Sequence, residues 1–158
     1  MSQSGYSRRT FLGGLATLAA LPGSLSAQSG PAIHVLKDPN CGCCGAWIGI
    51  LQKEGFGVTT EPSAGVALIR EKMARGVPQT MASCHTADVE GYVIEGHVPA
   101  ADIRRLLSER PDAVGLAVPG MPYGSPGMGP EDRREAYDVH LIRRDGTTEV
   151  FTAYAAAE

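Results

Sequence analysis

The sequence has no cluster of basic residues: 14 lysines and arginines stand against 17 acids, for a formal net charge of −3. Nucleic-acid binding needs Lys and Arg gathered on one face, so that class is set aside. A long apolar run is missing too. The nearest approach, "SRRTFLGGLATLAALPGSLSA" at residues 7–27, is too short to cross a bilayer comfortably. Tryptophan occurs once, as Trp47, which is expected to anchor a helix in the core. Cysteine is scarce, with four in 158 residues. Three of the four nonetheless fall within four positions, Cys41, Cys43 and Cys44 of "DPNCGCCGAW", and only Cys84 stands apart.

The first residues read as a charged region, an apolar region and a small-residue cleavage zone. Arg8 and Arg9, with Ser7 before them and Phe11 and Leu12 after, match a twin-arginine export signal. The expectation is therefore an export signal over residues 1–27, cut near Ala27, and one domain over residues 28–158 in the bacterial periplasm. Loss of Arg8 and Arg9 lowers the formal charge from −3 by two, to −5.

After a short link, "AIHVL" predicts a strand running into the cysteines, and Trp47, Ile50 and Leu51 recur at helical spacing until Gly55. "GFGVTTEP" predicts a second strand. "GVALIREKMARG" predicts a second helix with Val66, Ile69 and Met73 on its apolar, core-facing side. A strand then turns at Glu90-Gly91 into another around Tyr92 to Ile94, followed by a helix with Pro99 in its first turn and Ile103, Leu106 and Leu107 inward. The order is β-α-β-α-β-β-α. Two last strands, near Tyr137–Arg143 and Thr148–Ala153, meet at Asp145-Gly146. Between them and the third helix lies "GLAVPGMPYGSPGMGPEDRRE", too long for a mere connection.

Cys41 and Cys44 form a C-x-x-C at a strand-to-helix turn, where helix amides favour thiolate. That context suits a thiol-disulfide oxidoreductase with Cys41 attacking and Cys44 resolving. Cys43 is superfluous for such chemistry, since a third sulfur invites off-pathway disulfides. A metal uses it readily. Soft thiolates select copper(I), zinc or iron-sulfur clusters, and thioethers tilt the choice towards copper(I). Met121 and Met128 sit in the Gly/Pro stretch, where core packing explains a methionine least. A structural zinc site of Cys₄ or Cys₃His type and a pair of structural disulfides are the other readings of the same residues.

The motifs "CGCCGAW", "SCHTA", "GYVIEGHVPA" and "GLAVPGMPYGSPGM", in that order, resemble a bacterial periplasmic family of metal-binding domains of unknown function related to CopG-like copper-resistance proteins. The resemblance implies an α/β, thioredoxin-like fold, copper as the bound metal, and a role in copper resistance or copper redox handling. It implies a site of Cys41, Cys43, Cys44 and Cys84, joined by His85, Met121 and Met128, with copper(I) as one or more ions. Metal ions and other periplasmic copper-handling proteins are the implied partners. In thioredoxin-like relatives a cis-proline loop faces the C-x-x-C, and counting back from Glu90-Gly91 puts Cys84-His85 at that loop without the proline.

Other polar residues read more plainly. His34 and His140 fall within strands and are expected to pack or face solvent. His97, between a strand end and Pro99, is expected to start the third helix, to bond a loop carbonyl, or to support a metal ligand. Glu95 has no partner visible in the sequence, and the charges of "PEDRRE" read as a solvated face.

Overall fold

The computed structural model describes Met1 and residues 30–158, so the expected export signal lies outside the described residues. Strand β1 (Ala32–Lys37) turns Ile33 and Val35 into the main core, buries Leu36 as well, and leads into helix α1 (Gly42–Lys53). Gly55, at φ +87°, ends α1 in the left-handed conformation that an L side chain resists. Strand β2 (Gly57–Pro62) follows, then α2 (Gly65–Ala74), β3 (His85–Val89) and β4 (Tyr92–Glu95). Glu90 and Gly91, both at positive φ, make the tight turn between β3 and β4. Helix α3 (Ala100–Glu109), β5 (Gly115–Ala117), β6 (Tyr137–Ile142) and β7 (Thr148–Tyr154) complete the chain.

The seven strands form one mixed sheet in the order β2-β1-β3-β4-β5-β6-β7. The β1/β2 and β4/β5 pairs are parallel and the others antiparallel. The α/β class and the β-α-β-α-β-β-α order expected of a thioredoxin-like domain both describe the first four strands and three helices. One face carries the main core, in which Trp47 and Leu51 of α1 and Ile103 and Leu106 of α3 pack on Ile33, Val35, Ile94 and Leu116. A smaller cluster of Val77, Val93, Ala117 and Ile142 lies apart from it, with Met81 packed against it.

Three expectations need correction. Val66, Ile69 and Met73 are 64%, 54% and 66% exposed, whereas Leu68 and Lys72 are the buried residues of α2. The apolar stripe faces solvent because the helix is turned to bring Lys72 inward to a buried acid. Ile50 is only half-buried, and Ile48 takes the inward place beside Trp47. The Gly/Pro stretch opens with a strand, β5, whose three residues are all buried. The C-terminal hairpin extends the sheet from β5. It is tied to α3 by buried Asp102, which accepts from Thr152 Oγ1 at 2.5 Å and Tyr154 OH at 2.7 Å.

Candidate metal centre

The cysteines are placed by the N-terminus of α1. Cys41 is its N-cap, with extended backbone and Sγ accepting from the Cys44 N–H at 3.4 Å. One helical turn places Cys44 inward and fully buried, while Cys41 and Cys43 are half-buried. Cys84, forty residues on, precedes β3, whose antiparallel pairing with β1 sets Lys37 opposite His85. That register brings the two distant segments together. Cys84 Sγ lies 3.5 Å from Cys44 Sγ, and Cys41 Sγ lies 3.5 Å from Cys43 Sγ. All four sulfurs fall within 4.8 Å of one another.

Cys41 and Cys44 are joined as a disulfide, while Cys43 and Cys84 are free thiols. The alternative of two structural disulfides does not hold, because only one pair is closed. Four thiolates become available only after that bond takes up two electrons. Burial, with Cys43 as the next cause, pushes the Cys84 thiol up to about 11. Alone at neutral pH it keeps its proton, and a cation beside it reverses that preference.

Two histidines complete the cluster. Cys84 Sγ is 3.3 Å from His85 Nδ1 and 3.0 Å from His97 Nε2, and these three residues form a second close group of candidate ligands. His97 Nδ1 lies 2.8 Å from the Pro126 carbonyl, which can only accept. That bond places the proton on Nδ1 and leaves the Nε2 lone pair facing Cys84, the arrangement in which an imidazole serves as a ligand. His85 is fully buried against Trp47, with ring centroids 4.3 Å apart, and its Nε2 has no hydrogen-bond partner. Burial, then His97 and Lys72, holds His85 well below the ordinary imidazole value. Burial does the same to His97 more moderately. Both rings stay neutral, as metal ligands must. The donor set of soft sulfurs with two neutral imidazoles beside Cys84 fits a soft metal ion.

The Gly/Pro stretch is a folded cover. Ser83 Oγ donates to the Gly120 carbonyl at its start, and Ser125 Oγ donates to the Pro122 carbonyl at 2.7 Å within it. Gly127 rests on α1 so closely that a Cβ there would lie 2.7 Å from Trp47 N and 3.0 Å from the Cys43 carbonyl. Met128 is the next residue and half-buried, whereas Met121 is 54% exposed on the outer limb. The four cysteines and His85 are thus brought together, and Met121 projects outward. His34 bonds Thr59 and Glu61 at the β1/β2 edge, and half-buried His140 lies on β6. Sequence reasoning underrated His97. The "EGHVP" segment gave a signal for it, since a histidine just before a helix and just after a glycine bend is free to point back into a loop.

A family model described as a protein of unknown function, DUF411, matches residues 81–128. No curated protein matches. Two solved structures, both titled copper resistance protein CopG, Form 1 and Form 2, are 50% and 49% identical to this chain. Their TM-scores are 0.74 and 0.72, and the matches cover 79% and 78% of this chain and 98% of each of theirs. Half-identity along nearly the whole length of those structures, with the family match over residues 81–128, shows that the chain belongs to the CopG-like copper-resistance family of DUF411 proteins.

Proposed function

We propose that this is a periplasmic copper-handling protein that holds copper(I) on the thiolates of Cys41, Cys43, Cys44 and Cys84. His97, His85 and the loop bearing Met121 and Met128 close the site. The observation that carries this reading is the meeting of four sulfurs within 4.8 Å, with two buried histidines against Cys84. Thiolates favour the reduced copper ion and can bridge more than one. Reduction of the Cys41–Cys44 bond by an external dithiol, which leaves as its own disulfide, supplies two of the four ligands, and each thiol gives up its proton as it binds. Support for copper as the cargo comes from the two similar structures titled copper resistance protein. The twin-arginine motif at Arg8 and Arg9 supports the compartment.

The closed Cys41–Cys44 pair favours a second reading, thiol-disulfide exchange, with half-exposed Cys41 as the attacking sulfur and buried Cys44 as its partner. Cys43→Ser separates the two. Under the copper reading the variant loses copper(I) affinity in competition with a chelator, because one bridging sulfur is gone. Under the exchange reading it keeps full turnover with a disulfide substrate and unchanged metal affinity.

A further inference from the structure

Among the described residues the interior holds one fully buried ion pair outside the candidate ligand set. Glu95, the last residue of β4, is fully buried, and Lys72 of α2 places Nζ 2.6 Å from its Oε1. Taking two charges out of water is costly, and a well-packed apolar pair often serves stability as well or better. Nor is this carboxylate fully satisfied, since Oε2 has no hydrogen-bond partner. Besides Lys72, Oε1 accepts the backbone N–H of Ser83, at 2.6 Å.

Ser83 immediately precedes Cys84, and residues 82–84 belong to no strand or helix. No sheet ladder fixes the backbone that carries this thiol. The segment is instead wedged between its neighbours. Gly96, at φ +72°, admits no side chain, because a Cβ there would meet Ser83 Oγ at 2.5 Å and the Val118 carbonyl at 2.6 Å. The Ser83 amide, aimed into the interior at the foot of this wedge, has the Glu95 carboxylate as its acceptor.

We infer that Glu95 and Lys72 are positioning residues: Lys72 steadies the carboxylate, the carboxylate holds the Ser83 N–H, and that bond sets Cys84 Sγ against Cys43, Cys44 and His97. A buried acceptor oxygen here does what a proline would do elsewhere in a thioredoxin-like loop, fixing a turn without regular structure. The consequence for copper rests on the proposed function above, but the positioning itself is a property of the metal-free chain.

Two double variants separate placement from stability. Lys72→Met with Glu95→Gln removes both charges and keeps an amide oxygen for Ser83 N–H. Lys72→Met with Glu95→Leu removes the charges and the acceptor. The readouts are copper(I) affinity by chelator competition, and the alkylation rate of Cys84 by iodoacetamide in metal-free protein with the Cys41–Cys44 bond closed. The first variant is expected to match wild type on both. The second is expected to melt no lower than the first, to lose about tenfold in copper(I) affinity, and to alkylate Cys84 several-fold faster. Equal affinity and equal alkylation in the two variants overturn the assignment. If wild type binds no copper(I), the proposed function falls, and the alkylation contrast alone still decides the positioning. Should the Leu variant fail to fold, amide exchange at Ser83 in wild type decides: slow exchange supports the bond, and exchange at an open-loop rate overturns it.

Discussion

Replacing Gly127 by alanine tests whether the Gly/Pro loop serves the metal centre or merely covers it. Gly127 sits at φ +85°, where a residue with a Cβ costs about 1–2 kcal/mol. The new methyl would also lie 2.7 Å from Trp47 N and 3.0 Å from the Cys43 carbonyl, both backbone atoms of the first turns of α1. Neither can yield without unwinding the helix, so the loop must lift. Restoring ordinary contact at 3.4 Å from 2.7 Å takes a shift of ~0.7 Å. The Pro126 carbonyl moves with it, and its 2.8 Å contact with His97 Nδ1 stretches beyond hydrogen-bond range. Losing that bond adds about 0.5–1.5 kcal/mol, for a total of roughly 1.5–3.5 kcal/mol. In a domain of this size that lowers the melting temperature by about 5–15 °C. His97 is then no longer aimed at Cys84, and copper(I) affinity is expected to fall by about tenfold or more. Gly120→Ala is the control. It meets the same conformational cost at φ +68° with nothing within 4 Å of its Cβ, so it loses stability and keeps its copper(I) affinity. Thermal melts of metal-free protein and chelator competition read both quantities. A Gly127→Ala protein that melts and binds like wild type, or like Gly120→Ala, refutes the reasoning.

Further predictions follow from burial and charge. The folded chain keeps His85 and His97 neutral below pH 6.5, whereas the unfolded chain protonates them there, so metal-free protein loses stability as pH falls through that value. The limiting slope is about 1.4 kcal/mol per pH unit for His85, while Glu95, raised by burial, works in the opposite direction nearer its own range. Melting temperatures flat between pH 7 and pH 5.5 contradict this. On α2, Ile69→Gln and Met73→Gln are expected to change stability by no more than about 0.5 kcal/mol, whereas Leu68→Ala costs about 2 kcal/mol or more; urea midpoints decide. Tyr154→Phe removes a bond to the buried Asp102 carboxylate and is expected to cost about 1.5–3 kcal/mol in the same urea titrations, with copper binding unchanged.

Much of the fold was legible because local signals agreed with the tertiary structure. The strand-to-helix turn at Cys41, the Glu90-Gly91 and Asp145-Gly146 turns and the inward face of α3 all follow from period and turn chemistry. The face of α2 did not, because a lysine counts as solvent-facing in any hydrophobic pattern. Here Lys72 is drawn inward by Glu95, a partner 23 residues away that only the assembled sheet provides. Strand β5 was hidden by its length of three residues and its Gly/Pro neighbours. At the site, the cysteine spacing pointed to soft-metal or redox chemistry from the start. The nearness of Cys84 was recoverable only through the thioredoxin-like resemblance, since it depends on the β1/β3 register. The aim of His97 depends on a carbonyl in a loop 29 residues away, which no local pattern encodes.

The most direct test is anaerobic titration of the reduced, metal-free protein with copper(I). Copper per chain is measured by elemental analysis after desalting, the ligand shell by X-ray absorption, and free thiols after chelation. The account predicts one or more tightly held copper ions in a shell dominated by sulfur, with four thiols recovered once the metal is removed. Four free thiols and no copper retained would contradict it, and the Cys41–Cys44 pair would then stand as an exchange centre in place of a metal site.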